Sequence, residues 1–243
     1  MIGSSNLMVS IGSVEVKKRV YSIIQRLQPD YWLQIDMIDY KDACENHKTW
    51  IDLLTFLNWY AHSFKPKYYL EIGVRRGRSM AQVLIESPNT SVFGFDIWQL
   101  AYGSDIENGI YTSNPGRDFV MKEFHNLGIL NELMLIDGPS QETLVDFFEN
   151  PNFPKEIDLI TVDGDHDYQG AKIDLSNAFK LLAPGGALVF DDINHPYHVE
   201  LGELWEEFKK LFSDYLFIQD SFNKGVGIAF RPPFPDEKSV ICP

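Results

Sequence analysis

The chain has 243 residues, of which 44% are hydrophobic and 23% are charged, and its formal net charge is -14. This composition is typical of a globular protein, and the acidic excess argues against a nucleic-acid partner, because phosphate binding needs clustered Lys and Arg. Two cysteines far apart in sequence indicate no disulfide framework, and they fit a reducing cytoplasm. No apolar run has the length of a membrane span, and the first residues lack the pattern of a signal peptide, so we expect a cytoplasmic protein with no membrane partner.

The N-terminal region is predicted to be helical. Apolar residues recur at helical spacing over Val14–Leu27, and a second helix is predicted over Cys44–Phe64, with Pro66 as its stop signal. We assign residues 1–66 to an N-terminal helical cap region and residues 67–243 to the core that follows. The aromatic-rich helices of the cap region are candidates for a homodimer face.

Strands and helices alternate from Tyr68 onward. Strands are predicted over Tyr68–Ile72, Ser91–Asp96, Leu133–Asp137, Asp158–Asp163 and Ala187–Phe190. Helices are predicted over Ser79–Ile85, Gln141–Glu149, Tyr168–Leu182 and Leu201–Phe212, with Pro184-Gly185-Gly186 as a return turn. The strands are apolar throughout, as expected for burial on both faces of a parallel sheet. Tyr215–Gln219 and Val226–Phe230 flank a turn and predict an antiparallel hairpin at the sheet edge. The pattern predicts an α/β chain with a Rossmann-like, doubly wound, mostly parallel sheet and an antiparallel final strand.

The connection from Leu100 to Leu130 is long for a compact domain. Segments of this length are often binding loops or lids. The alternative is a solvated insertion that contains one helix, predicted over Arg117–Leu127.

A glycine motif follows the first strand of the core, as Glu71-x-Gly73-x-x-x-Gly77-x-Ser79. Its glycines are four residues apart, which differs from the dinucleotide fingerprint G-x-G-x-x-G. Gly73 permits a sharp turn after the strand, and Gly77 permits close approach of the backbone to a ligand. The helix that follows offers free amides and a positive dipole end, which suit a carboxylate. Glu71 is a candidate for holding an ammonium group.

Two further acids end the next two strands. Asp96 is placed to accept hydrogen bonds from both hydroxyls of a ribose. Asp137 begins the segment Asp137-Gly138-Pro139-Ser140-Gln141, which is placed to flank an adenine. A ligand with a ribose, a carboxylate and an ammonium group is an amino-acid nucleoside, and S-adenosylmethionine has all three. The alternative is that these are strand-to-helix turns without a ligand.

Carboxylates also end the fourth and fifth strands, at Asp163 and at Asp191-Asp192. Because the carboxyl ends of parallel strands meet at one edge of the sheet, we expect these acids to lie close together. Clustered acids repel one another without a cation, so they predict a metal site, although Asp192 is also a candidate for capping the next turn. An all-carboxylate set favours Mg²⁺, with Mn²⁺ or Ca²⁺ as alternatives.

These motifs, in this order, resemble class I S-adenosylmethionine-dependent methyltransferases. The similarity is greatest to the metal-dependent small-molecule O-methyltransferases of the catechol, macrolide-sugar and aminocoumarin-sugar types. It covers about Tyr68 to Arg231, and its best signals are Leu70-Glu71-Ile72-Gly73, Gly138-Pro139-Ser140-Gln141-Glu142, Val162-Asp163-Gly164-Asp165-His166, Pro184-Gly185-Gly186 and Phe190-Asp191-Asp192.

The resemblance implies a role for each matched residue. The methionine portion of the cofactor would contact Glu71, Gly73 and Ser79, with Gly77 and Asp163 beside it. The remaining positions would be Asp96 at the ribose, Asp137, Ser140 and Gln141 at the adenine end, and Asp163, Asp191 and Asp192 as the metal ligands.

The general base stays open between two residues. The catechol enzymes carry a lysine three positions after the first metal ligand, and His166 stands there in this chain. The sugar enzymes place an acid two positions after that ligand, which here is Asp165. An imidazole titrates near neutrality, which suits a base, although His166 is also a candidate for a structural histidine. His195 and His198 follow the acid pair and either face the substrate or are exposed.

The sequence therefore predicts an S-adenosylmethionine-dependent and Mg²⁺-dependent O-methyltransferase that acts on a hydroxyl of a small molecule, such as a natural product, a sugar or a phenol. Three alternatives remain open. One is a metal-independent methyltransferase that acts on nitrogen or carbon. Another is an oxygenase or hydroxylase that uses the same acids with histidines. The third is a protein that binds the cofactor without catalysis.

Overall fold

The computed structural model describes residues 4–98, 114–130 and 133–234. The helices in these ranges are α1 (Ser4–Ile11), α2 (Val14–Ile24), α3 (Tyr31–Asn46), α4 (Leu53–Phe64), α5 (Arg78–Glu86), α6 (Arg117–Leu127), α7 (Ser140–Glu149), α8 (Tyr168–Leu181) and α9 (Glu200–Leu211). The strands are β1 (Tyr68–Ile72), β2 (Ser91–Asp96), β3 (Leu133–Asp137), β4 (Ile157–Val162), β5 (Leu182–Asp191), β6 (Leu216–Asp220) and β7 (Val226–Phe230). None of the helices in the described ranges has the length and apolar character needed to cross a bilayer.

The strands form one sheet in the order β3-β2-β1-β4-β5-β7-β6. Strands β1 to β5 run parallel, and β7 runs antiparallel between β5 and β6. The Rossmann-like fold and the antiparallel edge hairpin are therefore confirmed. The strand order reverses between β1 and β4, and the crevice at such a switch point is where open α/β sheets bind ligands.

Helices cover both faces of the sheet. On one face the N-terminal helices share a core with α5 and α6, and on the other α7, α8 and α9 pack against the strands. Phe56 of α4 meets the ring of Phe230 edge-on, and the Tyr60 hydroxyl donates to the carbonyl of Asp158 at 3.1 Å. The N-terminal helices thus pack directly on the sheet, and the division of the chain at residue 66 stays a prediction.

The helix predicted over Cys44–Phe64 is wrong, because two helices divide that region. Helix α3 ends where His47 takes a left-handed conformation with φ 53°, and α4 begins after Asp52. Asp52 and Thr55 form a reciprocal capping box, in which the side chain of each residue accepts a hydrogen bond from the backbone N–H of the other. The predicted stop before Pro66 is confirmed.

The return turn predicted at Pro184-Gly185-Gly186 is also wrong. These residues lie inside β5, where the pairing with β4 shifts between Ile157 and Leu159. Gly185 has φ 79° at this irregularity. The helix predicted over Arg117–Leu127 is confirmed, whereas residues 100–113 of the predicted binding loop or lid lie outside the described residues.

Candidate active site

A cavity of about 560 Å³ opens at the switch point between β1 and β4. Its walls come from the ends of β1, β4 and β5, the start of α5, helix α3, the loop after β5 and the turn between β6 and β7. The predicted site residues in these walls are Gly73, Ser79, Asp163, His166, Asp191 and Asp192. The sheet therefore brings the predicted methionine contacts and the predicted metal ligands to one cavity.

Gly73 and Gly77 shape the floor at the end of β1. They have φ 90° and 70°, in the left-handed region where a Cβ is strained. A Cβ at Gly73 would lie 1.8 Å from the carbonyl oxygen of Asp163, so only glycine lets the loops after β1 and β4 approach. Gly77 begins α5 without a side-chain cap. Within the described residues, no side chain therefore caps the first amides of α5, and these amides suit a ligand carboxylate.

Glu71 lies beneath this floor and has no exposed surface. Its carboxyl group accepts hydrogen bonds from the Tyr69 hydroxyl at 2.6 Å and from the Ser79 hydroxyl. Burial raises the pKa of Glu71 to about 8. Glu71 thus fixes Ser79 in the cavity wall.

Asp96 and Asp137 lie side by side at the ends of β2 and β3, outside the cavity walls. Asp96 is buried and accepts hydrogen bonds from the backbone N–H groups of Arg75 at 2.7 Å and Trp98 at 2.6 Å, and from the Asn114 amide at 3.0 Å. Asp137 is more exposed and accepts a hydrogen bond from the Trp98 indole N–H at 2.8 Å. A ribose at Asp96 would have to share or replace these donors.

Ser140 and Gln141 begin α7, and both side chains turn toward α8. The Ser140 hydroxyl donates to Asp174 at 2.7 Å, and the Gln141 amide donates to it at 3.4 Å. Asp174 is fully buried, and burial raises its pKa to about 7. The sequence analysis missed this residue, although an acid on the apolar stripe between Ala171 and Leu175 was a readable signal.

Two acids and an imidazole face one another on the other side of the cavity. Single ligand atoms of Asp163, His166 and Asp192 lie within 4.8 Å of one another. The imidazole Nε2 of His166 is 3.4 Å from Asp192 Oδ2 and 3.8 Å from Asp163 Oδ1. Ligands about 2.1 Å from a divalent cation lie roughly 3 to 4 Å apart, so this donor set fits such an ion.

Asp191 adjoins this group without joining the close trio. Desolvation raises the pKa of Asp191 well above its ordinary range, and the charges of Asp163 and Asp192 raise it further. Desolvation, and to a lesser degree the charge of Asp192, also raises the pKa of Asp163. The ionised form of these acids is therefore costly unless a cation offsets it.

Lys224 brings an ammonium group close to these acids. Its ammonium group lies 3.4 Å from Asp192 Oδ2, and it reaches the cavity from the turn between β6 and β7. Burial opposes its charged form, but Asp192, Asp163 and Asp191 together raise its pKa. The sequence analysis missed Lys224, because no spacing rule links this turn to the strand ends.

His166 keeps a raised pKa in the cavity. Burial lowers it, but the contact with Asp163 and the charge of Asp192 outweigh that effect. Asp165, the other candidate base, is exposed and lies outside the cavity walls. Its carboxylate accepts the backbone N–H of Asp167 at 2.9 Å, next to the start of α8. The geometry thus brings His166, but not Asp165, to the cavity.

His195 is buried beside this cluster, with its ring 4.7 Å from that of His198 and 5.9 Å from that of His166. The backbone N–H of Tyr197 donates to its Nδ1 at 3.2 Å, which places the proton of the neutral imidazole on Nε2. Burial lowers the pKa of His195 to about 4. His195 is therefore a neutral donor in the cavity wall.

Helix α3 supplies the wall that faces the acid cluster, through Trp32, Ile35 and Asp36. Asp36 lies 3.4 Å from the guanidinium of Arg78, which also pairs with Asp30 at the start of α3. Burial raises the pKa of Asp36 to about 7. The N-terminal region thus borders the cavity, and ion pairs join it to the first turn of α5.

The sequence matches a family model described as a methyltransferase domain over residues 70–193, which includes every predicted site residue. The chain belongs to this family. The recognition of a class I methyltransferase is confirmed, and the oxygenase alternative loses its support.

A relative of 24% identity over 220 residues is the uncharacterized protein y4gI of Sinorhizobium fredii. The match covers 88% of this chain but only 22% of that protein, so the chain spans about a fifth of its length.

Solved methyltransferase structures share the fold. The O-methyltransferase NovP has 19% identity and a TM-score of 0.56, over 73% of this chain and 78% of that chain. The O-methyltransferase TomG of Streptomyces achromogenes, solved in complex with S-adenosylmethionine, has 15% identity and a TM-score of 0.55, over 84% and 91%. At these identities the likeness extends to the fold alone.

Proposed function

We propose that this methyltransferase transfers a methyl group from S-adenosylmethionine to a hydroxyl oxygen of a small molecule, with a divalent cation at the acid cluster. One observation carries the proposal. A single cavity joins an uncapped helix start, which suits a carboxylate, to a group of acids and an imidazole, which suits a cation and a hydroxyl proton.

The cofactor supplies an activated methyl group on a sulfonium. In this chain the first amides of α5 would receive its carboxylate, with Ser79 held in place by Glu71. Gly73 keeps the floor open for close approach. Asp96 and Asp137 would receive the ribose and the adjoining adenine end. These contacts would point the methyl group toward the acid cluster. In an in-line displacement, most of the rate acceleration comes from aligning the methyl group with the attacking oxygen.

Asp163 and Asp192 would hold the cation, with Asp191 as the third carboxylate, which leaves Nε2 of His166 free to accept a proton. A hard divalent cation such as Mg²⁺ lowers the pKa of a hydroxyl and orients its oxygen. His166 would accept the hydroxyl proton at Nε2, since it lies in the cavity wall with its pKa raised by Asp163 and Asp192. Asp165 is the weaker candidate for this role, since its carboxylate caps the local backbone.

The acceptor would lie between the acid cluster and α3. Trp32 and Tyr197 give this part of the wall two aromatic surfaces, which fits a small ring-bearing molecule such as a phenol, a sugar or another natural product. The homodimer suggested by the aromatic helices stays a prediction.

Calorimetric titration of S-adenosylmethionine and S-adenosylhomocysteine, with NAD as a control, tests the cofactor. Methyl transfer to a panel of phenols, sugars and amines, with Mg²⁺ and then with EDTA, tests the reaction. We expect both adenosyl ligands to bind, transfer to hydroxyls only, and a loss of activity in EDTA that Mg²⁺ restores. No binding of either adenosyl ligand would refute the proposal.

A metal-independent methyltransferase is the second candidate, and Lys224 favours it. Its ammonium group already lies 3.4 Å from Asp192, so a protein cation offsets part of the cluster's charge. In that case the acids would bind an amine or orient the acceptor. Full activity in EDTA, together with methylation of amines in the panel, would establish this candidate.

A further inference from the structure

A buried carboxylate on α8 has a position that hydrophobic packing alone does not explain. Asp174 has no exposed surface, and its neighbours on the same helix stripe, Ala171, Leu175 and Ala178, are equally buried and apolar. A carboxylate in such surroundings is costly unless its oxygens have partners. The partners of Asp174 therefore indicate what it does.

Both oxygens of Asp174 face the segment after β3. Oδ1 accepts the Ser140 hydroxyl at 2.7 Å, and Oδ2 accepts the Gln141 amide at 3.4 Å. The segment after β4 is adjacent as well. The backbone N–H of Asp165 interacts favourably with the Asp174 carboxylate, and a Cβ added at Gly164 would lie 3.4 Å from Oδ2.

The two segments have no direct link through the sheet. In the strand order, β2 and β1 separate β3 from β4, so no ladder hydrogen bond fixes the end of β3 relative to the end of β4. Asp174 contacts both segments from one helix. One side chain thus fixes the position of the start of α7 relative to the loop that carries Asp163 and His166.

We propose that Asp174 is a positioning residue for the cofactor, which acts through Ser140 and Gln141 to hold the start of α7 against the adenine end. The inference rests on the proposed function, since Ser140 and Gln141 would border the adenine. Asp174 does not line the cavity, and its side-chain hydrogen bonds go to Ser140 and Gln141, so it would act through the residues that it holds.

Calorimetry of S-adenosylhomocysteine with wild type, Asp174→Ala, Asp174→Asn and Asn177→Ala tests the inference. Asn177 is the matched control, because it is a buried polar residue one turn further along α8 whose side chain accepts only a long contact from Lys180. We expect Asp174→Ala to weaken binding about tenfold or more, since two donors lose their acceptor. Asp174→Asn keeps an acceptor for Ser140 and should stay within about threefold of wild type, as should Asn177→Ala.

A double-mutant cycle with Ser140→Ala tests the route of action. If Asp174 acts through Ser140, the losses from Ser140→Ala and Asp174→Ala overlap and the double variant binds better than their product predicts. If Asp174→Ala does not fold, the same cycle with Asp174→Leu, which fills the site without offering an acceptor, serves in its place.

Three outcomes would count against the inference. Equal affinity of wild type and Asp174→Ala would refute it while leaving the proposed function intact, and so would fully additive losses in the cycle. Failure of wild type to bind S-adenosylhomocysteine would refute the proposed function, and the inference with it. Overlapping losses with rescue by Asp174→Asn would support it.

Discussion

At the β2 end of the sheet edge, the carboxylate of Asp96 is surrounded by donors, with two backbone N–H groups and an amide within 3.0 Å. At the β4 and β5 ends, Asp163 and Asp192 lie close together with Asp191 beside them, and the His166 imidazole and the Lys224 ammonium group approach Asp192. The two regions are alike in sequence, since both consist of acids at the carboxyl ends of parallel strands.

The difference lies in what each region needs from a ligand. Asp96 is already satisfied, and it holds the backbone around it in one conformation. Burial raises the pKa values of Asp163 and Asp191 and the neighbouring acids raise them further, so the ionised form of the Asp163–Asp192 cluster is costly and a cation would stabilise it. Strand-end acids therefore differ in role according to the donors that the loops bring to them.

The largest expected effect is on the reaction rate, at His166. His166→Gln should lower kcat about 100-fold or more, because it removes the proton acceptor in the cavity. Because an imidazole accepts a proton only in its neutral form, wild-type activity should fall as pH falls through the pKa of His166. Steady-state kinetics across pH measures both effects.

Asp165→Asn is the matched control, because Asp165 already accepts the backbone N–H of Asp167. It should change kcat less than about threefold. The opposite result, a large loss from Asp165→Asn with an active His166→Gln, would assign the base to Asp165.

The next effect is on the free energy of unfolding, which should fall when an acid of the first region is replaced and rise when an acid of the second is replaced. Asp96→Ala should lower the free energy of unfolding by about 3 kcal/mol, because it leaves three donors without an acceptor. Asp191→Asn should raise it by about 1 kcal/mol in EDTA, because it removes a charge from the crowded cluster. Urea unfolding of both variants in EDTA measures this, and destabilisation by both would remove the distinction between the two regions.

A smaller effect concerns how stability depends on pH through Glu71. Like Asp96, Glu71 is buried and accepts hydrogen bonds from neighbouring groups. Its pKa rises from 4.5 to about 8 on folding, so its stabilising contribution is complete below about pH 4.5 and is lost as pH rises through about 8. Glu71→Gln should therefore gain stability relative to wild type, on the order of 2 kcal/mol, between about pH 5 and about pH 9. Unfolding across pH measures it, with Glu142→Gln as an exposed control. Parallel profiles for wild type and Glu71→Gln would show that Glu71 stays ionised.

The sequence was sufficient for the parts of the fold that depend on local pattern. Strands β1, β2 and β3 match their predicted residues, because each is a short apolar run that ends at an acid or before a glycine, although only β1 and β2 are largely buried. The break between α3 and α4 was missed, because it contains no Gly or Pro. A left-handed His47 and the Asp52–Thr55 capping box produce it, and both depend on tertiary packing as much as on residue type.

The site was predictable where topology alone gathers residues. Parallel strands bring Asp163, Asp191 and Asp192 to one edge, whatever the connecting segments do. Asp174 and Lys224 reach the site from a helix and from a hairpin turn, and their contacts depend on how those elements pack. A sequence pattern does not give the distance between such elements, so the contacts of Asp174 and Lys224 could be found only from the structure.

The smallest expected effect is on the affinity for a divalent cation. It concerns Lys224, whose contact with Asp192 favours the metal-independent candidate. If the ammonium group of Lys224 competes with a divalent cation for Asp192, Lys224→Met should tighten Mg²⁺ or Mn²⁺ binding about fivefold, because Asp192 loses a positive charge that lies 3.4 Å from its carboxylate. Calorimetric titration of each cation measures this. Lys172→Met is the control, because Lys172 pairs with Glu207 on the surface at 3.1 Å. A general change in net charge would tighten binding in both variants alike, whereas competition at the site would appear in Lys224→Met alone. Weaker cation binding in Lys224→Met would mean that Lys224 supports the cluster's geometry, and the metal-independent candidate would then lose the observation on which it rests.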